Sequence, residues 1–282
     1  MKFKTEVYFS GMRIAASCNG LILLSNWSDG RIIVCNPLRA QHFILPKPPK
    51  IVKDVTFFGC GFGHSPATDQ YKVLRFYYHT PGTFILGFDI YTIGIDDKWR
   101  SIGYPGQPRV VLKSQLVFLN GAFHWIGFEN ENSWFICYFD IEKEQFGSFP
   151  LPSHIGIAFP YLGIVDNWLY ILDDYSLDVQ KLWVMKDYGD FSSWTLECVI
   201  EGARLGTPMP LKMLKDGTLL MMFNKWCNIS SVKSSIKITL ASYNPQTRVL
   251  KKIKHCGNSL WGGSVADVPR FFSPMDALKL QC

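Results

Sequence analysis

The sequence predicts an all-β fold, a β-propeller of four-stranded antiparallel blades, with five repeats visible and a composite sixth that the two termini could close between them. Three observations predict it. The stretch Gln115 to Pro152 reads as four short strands in a row, and that pattern recurs about every 50 residues along the chain. Composition agrees, because 48% of the 282 residues are hydrophobic, 15% are aromatic and only 18% are charged, against about 25% charged in an average globular chain. A core that rich in aromatics fits one large all-β unit over residues 1–282 better than two ordinary domains.

The clearest repeat is QLVFLNGAFHWIGFENENSWFICYFDIEKEQFGSFPLP. Asn120-Gly121 lies between two apolar runs, and both central positions of a type I′ hairpin turn need positive φ, which Asn tolerates and Gly adopts freely. After a loop at Glu129 to Asn132, Trp134 to Ile141 forms a third strand rich in aromatic and β-branched residues. A turn at Glu142-Lys143-Glu144 leads to the fourth, which Pro150 and Pro152 end. One such meander cannot bury both of its faces, so copies must stack.

Taken in order, Met1 to Ser10 offers one strand that belongs to no complete unit. The first copy runs RIAASC, Asn19-Gly20, LILLS, a loop at Trp27 to Gly30, RIIVC, a turn from Asn36-Pro37, and HFILP. The second runs GCGFGHS, Pro66 to Asp69, YKVLRFYY, His79 to Thr83, ILGFDIYTI, Gly94 to Lys98, and WRSIG. The fourth runs YLGIV, Asp166-Asn167, WLYILDD, Tyr175 to Val179, KLWVMK, Asp187 to Ser193, and WTLECVI. The fifth runs LKMLK, Asp216-Gly217, TLLMMF, a long loop at Asn224 to Ser235, KITLASY, Asn244 to Thr247, and VLKKIK. The period points to a kelch-type array. Gly257 to Cys282 is too short for a blade, but with the N-terminal strand it could complete a sixth and remove the open edges.

In an up-and-down meander the first and third turns of every blade share one face, while the second loops and the blade-to-blade linkers share the other. The first set is short and made of turn residues. The second varies in length and chemistry: Trp27–Gly30, Lys47–Asp54, His79–Thr83, Tyr104–Lys113, Glu129–Asn132, Ser153–Pro160, Asp173–Val179, Glu201–Pro210 and Asn224–Ser235. Binding residues concentrate on loops held by a rigid scaffold, so the second face is expected to bind the partner. Aromatic anchors are expected there at Trp27, Tyr104, Trp134, Tyr175, Trp226 and Trp261, since interface hot spots favour Trp, Tyr and Arg. Trp99, Trp125, Trp168, Trp183 and Trp194 fall within strands or at their starts and are expected in the core.

Other function classes find little support. The net charge of +6 comes from basic residues scattered along the chain, unlike the clustered footprint of a nucleic-acid protein. Eight cysteines include no CxxC pair and read as reduced, buried thiols. No run has the length of a signal-peptide core or a membrane helix, which makes the sequons at Asn26 and Asn228 chance matches. Gly59, Gly61 and Gly63 look like a phosphate loop, but a strand follows where a helix would be needed, and close backbone packing near the ring axis explains them better. His64-Ser65 lies in no nucleophile elbow, and adjacent strand residues point apart. His124 reads as a hydrogen-bonded core histidine, and the remaining histidines have no metal-ligand spacing. The pairs Asp96-Asp97 and Asp173-Asp174 are unconvincing as glycosidase carboxylates. No catalytic residue, metal or other cofactor is expected.

The ordered segments SCNGLILL, CNPLRAQHFILP, GFGHSPATDQYKVLRF, YTIGIDDKWRSI, VFLNGAFHWI, FDIEKEQFGSFPLP, and LWVMKDYG with SWTLE resemble the F-box-associated domain of plant F-box proteins, from about Ala16 to Lys252. The resemblance implies a substrate receptor of an SCF-type ubiquitin ligase, in which this domain captures the protein to be ubiquitinated. In that family an upstream F-box docks on a Skp-type adaptor and so on the cullin. No F-box pattern precedes Ser17, so adaptor and cullin are expected partners only if an F-box lies upstream. The expectation is a non-enzymatic, soluble, cytoplasmic or nuclear protein-binding domain without nucleic-acid or membrane partners. The alternatives are an adaptor-independent binding propeller, such as a truncated family member, and a carbohydrate-active propeller enzyme.

Overall fold

A computed structural model describes residues 11–26, 29–49, 57–78, 85–103, 109–110, 116–130, 133–151, 160–176, 179–201, 206–230 and 233–259. Among these, twenty-one strands and a single 3-10 turn make five antiparallel sheets. Blade one is β1 (Arg13–Cys18), β2 (Leu21–Ser25), β3 (Ile32–Asn36) and β4 (Gln41–Ile44). Blade two is β5 (Phe57–Ser65), β6 (Gln70–Tyr78), β7 (Ile85–Thr92) and β8 (Arg100–Gly103). Blade three is preceded by a two-residue strand, β9 (Arg109–Val110), and consists of β10 (Val117–Leu119), β11 (Ala122–Asn130), β12 (Ser133–Asp140) and β13 (Gln145–Pro150). Blade four is β14 (Tyr161–Val165), β15 (Trp168–Ser176), β16 (Val179–Met185) and β17 (Trp194–Glu201). Blade five is β18 (Thr207–Met213), β19 (Leu219–Ser230), β20 (Lys233–Asn244) and β21 (Val249–Ser259).

Each sheet is a meander in which sequence neighbours pair, so the propeller of four-stranded antiparallel blades expected from the sequence is what the chain forms, with five blades among the described residues. Of the segments assigned to a composite sixth blade, Met1 to Ser10 and everything after Ser259 lie outside the described residues. Gly257 to Ser259 belong to β21 of blade five.

The hairpin turns follow the chemistry of their residues. Asn19 and Gly20 have φ of 51° and 79°, and Asn120 and Gly121 have 49° and 77°, the paired left-handed residues of a type I′ turn. Asp216-Gly217 behaves differently. Only Gly217 is left-handed there, Gly217 N donates to the Leu214 carbonyl, and the Asp216 carboxylate accepts from Thr218 N, so the connection is a longer bulged turn. The third turns of blades one, three and five share one design. The side chains of Asn36, Asp140 and Asn244 each accept from two backbone N–H groups in the turn, and Ala40, Glu144 and Arg248 close it with φ between 50° and 56°.

The core lies between blades. Leu21, Leu23 and Val34 of blade one pack with Phe62, Val73 and Tyr91 of blade two. Phe76 and Phe88 of blade two pack with Phe123, Trp125 and Phe139 of blade three. Ile126 and Ile136 meet Leu169, Ile171 and Trp194 of blade four, and Leu172, Leu182 and Val184 meet Met221, Phe223 and Tyr243 of blade five. Fully burying one such side chain is worth about 1.5–3 kcal/mol, so this stacking holds successive blades against one another.

The glycines of β5 serve that packing, as expected. A Cβ on Gly59 would stand 2.1 Å from the Phe76 ring, on Gly61 2.7 Å from Phe123, and on Gly63 2.4 Å from Phe118. Blade two therefore presents bare backbone to the aromatic rings of blade three and of its own second strand.

Candidate functional site

The face carrying the first and third turns is described nearly throughout, and its polar groups are directed at neighbouring blades. Ser65 Oγ donates to Glu142 Oε1 at 3.0 Å. Buried Lys72 donates to the Ile141 carbonyl at 2.7 Å and to Glu144 at 2.9 Å. Arg100 reaches the same Glu144 at 2.8 Å and 3.0 Å. Glu144 is held well below the ordinary range, at about 2, first by Arg100 and then by Lys72, against the opposing effect of its burial. His124 of blade three lies 2.8 Å from the Tyr188 hydroxyl of blade four, and the Asp166 carboxylate of blade four accepts from Met213 N of blade five at 2.7 Å. These contacts tie blade two to three, three to four and four to five. Leu38, Ile95 and Leu214 are exposed on this face, on three different blades, and scattered apolar side chains of this kind are ordinary protein surface.

The second face differs from its expected outline. Three of its loops are shorter than the sequence suggests, because strands extend into them. β11 reaches Asn130 and β12 begins at Ser133, β15 reaches Ser176 and β16 begins at Val179, and β17 holds Glu201 while β18 begins at Thr207. The linker expected at Tyr104–Lys113 contains β9, which pairs with Gly127 and Phe128 on the edge of β11. The largest departure is Asn224–Ser235. It is not a loop: β19 and β20 run 12 residues each and pair from Leu219↔Tyr243 out to Ser230↔Lys233.

Of the six expected anchors, Trp27, Tyr104 and Trp261 lie outside the described residues. Tyr175 is on β15 one position before its end. Trp226 is on β19, in register opposite Ile236, and is therefore a strand residue. Trp134 is half-buried opposite Phe128, ring centroids 5.5 Å apart, and packs against the core between blades three and four. Trp99, Trp125 and Trp194 are buried as expected, while Trp168 and Trp183 are half-buried against the interblade cores.

His64 Nε2 lies 2.9 Å from Asp69, whereas Ser65 Oγ turns to Glu142, so the adjacent pair points apart. Asp96 accepts from Thr92 N at 2.7 Å and from Arg100 at 3.3 Å, a turn-forming role. Asp173 is 3% exposed within β15. Cys35, Cys60, Cys137 and Cys198 are buried free thiols, and burial raises each, the first to about 11 and the others to about 12. Among the described residues no three His, Cys, Asp or Glu side chains gather closely enough to hold a metal, and no helix is long and apolar enough to cross a membrane.

A profile of the family described as F-box associated beta propeller domain matches residues 4–208. The chain is 31% identical over 140 residues to an F-box/kelch-repeat protein of Arabidopsis thaliana, covering 48% of this chain and 35% of that protein. An F-box protein of the same plant is 24% identical over 301 residues, covering 93% of this chain and 71% of that one. The match thus spans about a third of the first relative's length. Among solved structures, an exo-β-1,3-galactanase from Clostridium thermocellum superposes with a TM-score of 0.47 at 11% identity, covering 86% of this chain and 62% of the other. The Aleuria aurantia lectin gives 0.46 at 10%, covering 86% and 76%.

Proposed function

As the chain belongs to the F-box associated β-propeller family, we propose that it is the target-binding part of an SCF-type ubiquitin-ligase receptor, working in the cytoplasm or nucleus by positioning a protein and performing no chemistry of its own. The family match over residues 4–208 is the observation that carries this reading. The architecture supports it. Four interblade cores pack successive blades together, and a packed scaffold that displays its connections is what a recognition surface needs. Of the carboxylates considered for a glycosidase, Asp96 is engaged in a turn and Asp173 is buried in a strand. In this proposal a Skp-type adaptor and a cullin join through an F-box supplied upstream, and Trp27, Tyr104, Tyr175, Trp226 and Trp261, with Trp134 at the edge, contribute to the second face.

The test is to express the chain in plant protoplasts joined in frame to an F-box and to follow protein half-lives. A defined set of proteins should turn over faster, and the effect should vanish when the F-box cannot bind its adaptor. Unchanged half-lives across the proteome would sink the proposal. Should the chain without an added F-box pull down a Skp adaptor, docking would have to be assigned to the propeller itself.

A further inference from the structure

In blade five, β18 has seven residues and its pairing with β19 ends at Thr207↔Asn224. β19 continues to Ser230, paired on one side with β20. Among the described residues nothing pairs with the other edge of Lys225–Ser230. A strand edge of this kind presents a row of backbone donors and acceptors to whatever extended chain can reach it. Blade three has the same overhang: β10 stops opposite His124 while β11 runs on to Asn130. There the fold covers the edge with its own chain, β9, which adds antiparallel at Gly127 and Phe128. The overhang of a second strand is thus a place where this propeller already accepts an added strand.

Charge indicates what kind of strand would add in blade five. From Leu219 to Ser259 the chain has seven Lys and Arg and no Asp or Glu, whereas the rest of the sequence holds 22 basic and 23 acidic residues. The net charge of +6 therefore resides in one blade, although it looks dispersed along the sequence. Register sets Lys225 directly opposite Lys237, which puts two like-charged residues at facing positions of the hairpin. Of the seven, Arg248 is paired with Glu201 of blade four at 3.3 Å, Lys251, Lys252 and Lys254 lie on β21 at the far side of the blade, and Lys225, Lys233 and Lys237 lie on the overhanging hairpin itself. We propose that the overhanging edge of β19, Lys225–Ser230, docks an extended acidic peptide of a partner protein as an added antiparallel strand. Backbone hydrogen bonds would supply affinity and the lysines would select for acidic side chains.

The probe is a fluorescent eight-residue peptide alternating Glu and Val. It should bind at least tenfold more tightly than its Lys/Val counterpart, and N-methylation along one of its edges should weaken it at least tenfold while methylation along the other leaves it unchanged. The double substitution Lys225→Glu with Lys237→Glu should reverse the preference for charge. Because the methylated series needs no altered protein, a misfolded variant does not leave the question open. Equal binding of both methylated forms would mean simple charge attraction and would overturn the proposal. So would equal binding of duplex DNA or phosphatidylserine vesicles with the same sensitivity to the lysine substitutions. Peptide binding that appears only after removal of residues 1–10 would assign the edge to that segment, and self-association displaced by the peptide would assign it to a second copy; either overturns it. The proposal rests on the second face being the target-binding face only for its biological use. Failure of the peptide with target turnover intact would reject the edge alone, and the reverse result would reject the ligase reading alone.

Discussion

Arg100 and Glu144 meet across the boundary between blades two and three as a two-contact fork, with Nη1 3.0 Å from Oε2 and Nη2 2.8 Å from Oε1. Lys72 completes the arrangement at 2.9 Å. Glu144 closes the third turn of blade three with a left-handed backbone, so the turn delivers the carboxylate to the neighbouring blade. Glu144→Gln should lower stability by about 1 kcal/mol at neutral pH, a modest figure because the group is partly solvent-exposed and screened. Its carboxyl is depressed to about 2 from an ordinary 4.5, so the contribution is present above about 4.5 and disappears as the pH falls through about 2. Urea titrations between pH 3 and 7 on both proteins would show curves that converge toward acid. Parallel curves would refute the coupling.

His124 should dominate a higher window. It is fully buried and lowered to about 4, first by burial, with the backbone carbonyls of Val117 and Ala122 opposing. The unfolded chain takes up a proton near 6.5 while the folded one stays neutral, so stability should fall as the pH drops from about 6.5 to about 4 and then level off for this group. The full effect is about 3 kcal/mol. Tyr188→Phe, which removes the 2.8 Å partner, should cost about 1 kcal/mol. His124→Phe should flatten the profile in that window, and a slope that survives would mean that another group titrates there.

At Gly61 the prediction is steric. An added methyl would stand 2.7 Å from the Phe123 ring and 3.1 Å from Leu116, between two blades whose aromatic core leaves little slack. Gly61→Ala should destabilise by about 1–3 kcal/mol, and Gly61→Ala combined with Phe123→Leu should cost less than the two separate losses added together. Strict additivity in a double-mutant cycle would rule out the contact.

Arg75 and Asp89 form a buried ion pair within blade two, 2.7 Å apart and each 4% exposed. Arg75 also donates to the Pro49 carbonyl at 3.1 Å and lies 5.7 Å from the Trp99 ring. Arg75→Met alone should cost about 3–5 kcal/mol because it leaves a buried carboxylate without its partner. Arg75→Met with Asp89→Leu should recover most of that loss. Thermal melts of the three proteins would decide it, and a double variant as weak as the single one would show that the arginine matters chiefly through Pro49 and Trp99.

The blades were readable in advance because their signals are local. Asn120-Gly121 can scarcely be anything but a tight hairpin, and the runs on either side alternate or fill as buried strands do. The outer half of blade five was not readable, for an equally physical reason. Asn224, Lys225, Asn228 and Ser230 have low strand propensity, and their pairing comes from a register begun at Leu219↔Tyr243 and carried outward. β9 was hidden as well, since two residues carry no periodicity and exist as a strand only because β11 overhangs. Trp134 looked like an anchor on its position beside a loop. What sequence could not show is that Phe128 stands opposite its half-buried indole.

The overhang of β19 has a bearing on solubility. Two copies of an open strand edge can in principle zip together, the first step of edge-to-edge aggregation. With Lys225, Lys233 and Lys237 along the overhanging hairpin and no acidic residue from Leu219 to Ser259, two such arms repel each other before their backbones can align. The same lysines that would welcome an acidic strand therefore keep the protein from recognising itself, and they should do so less well as salt rises and the repulsion is screened.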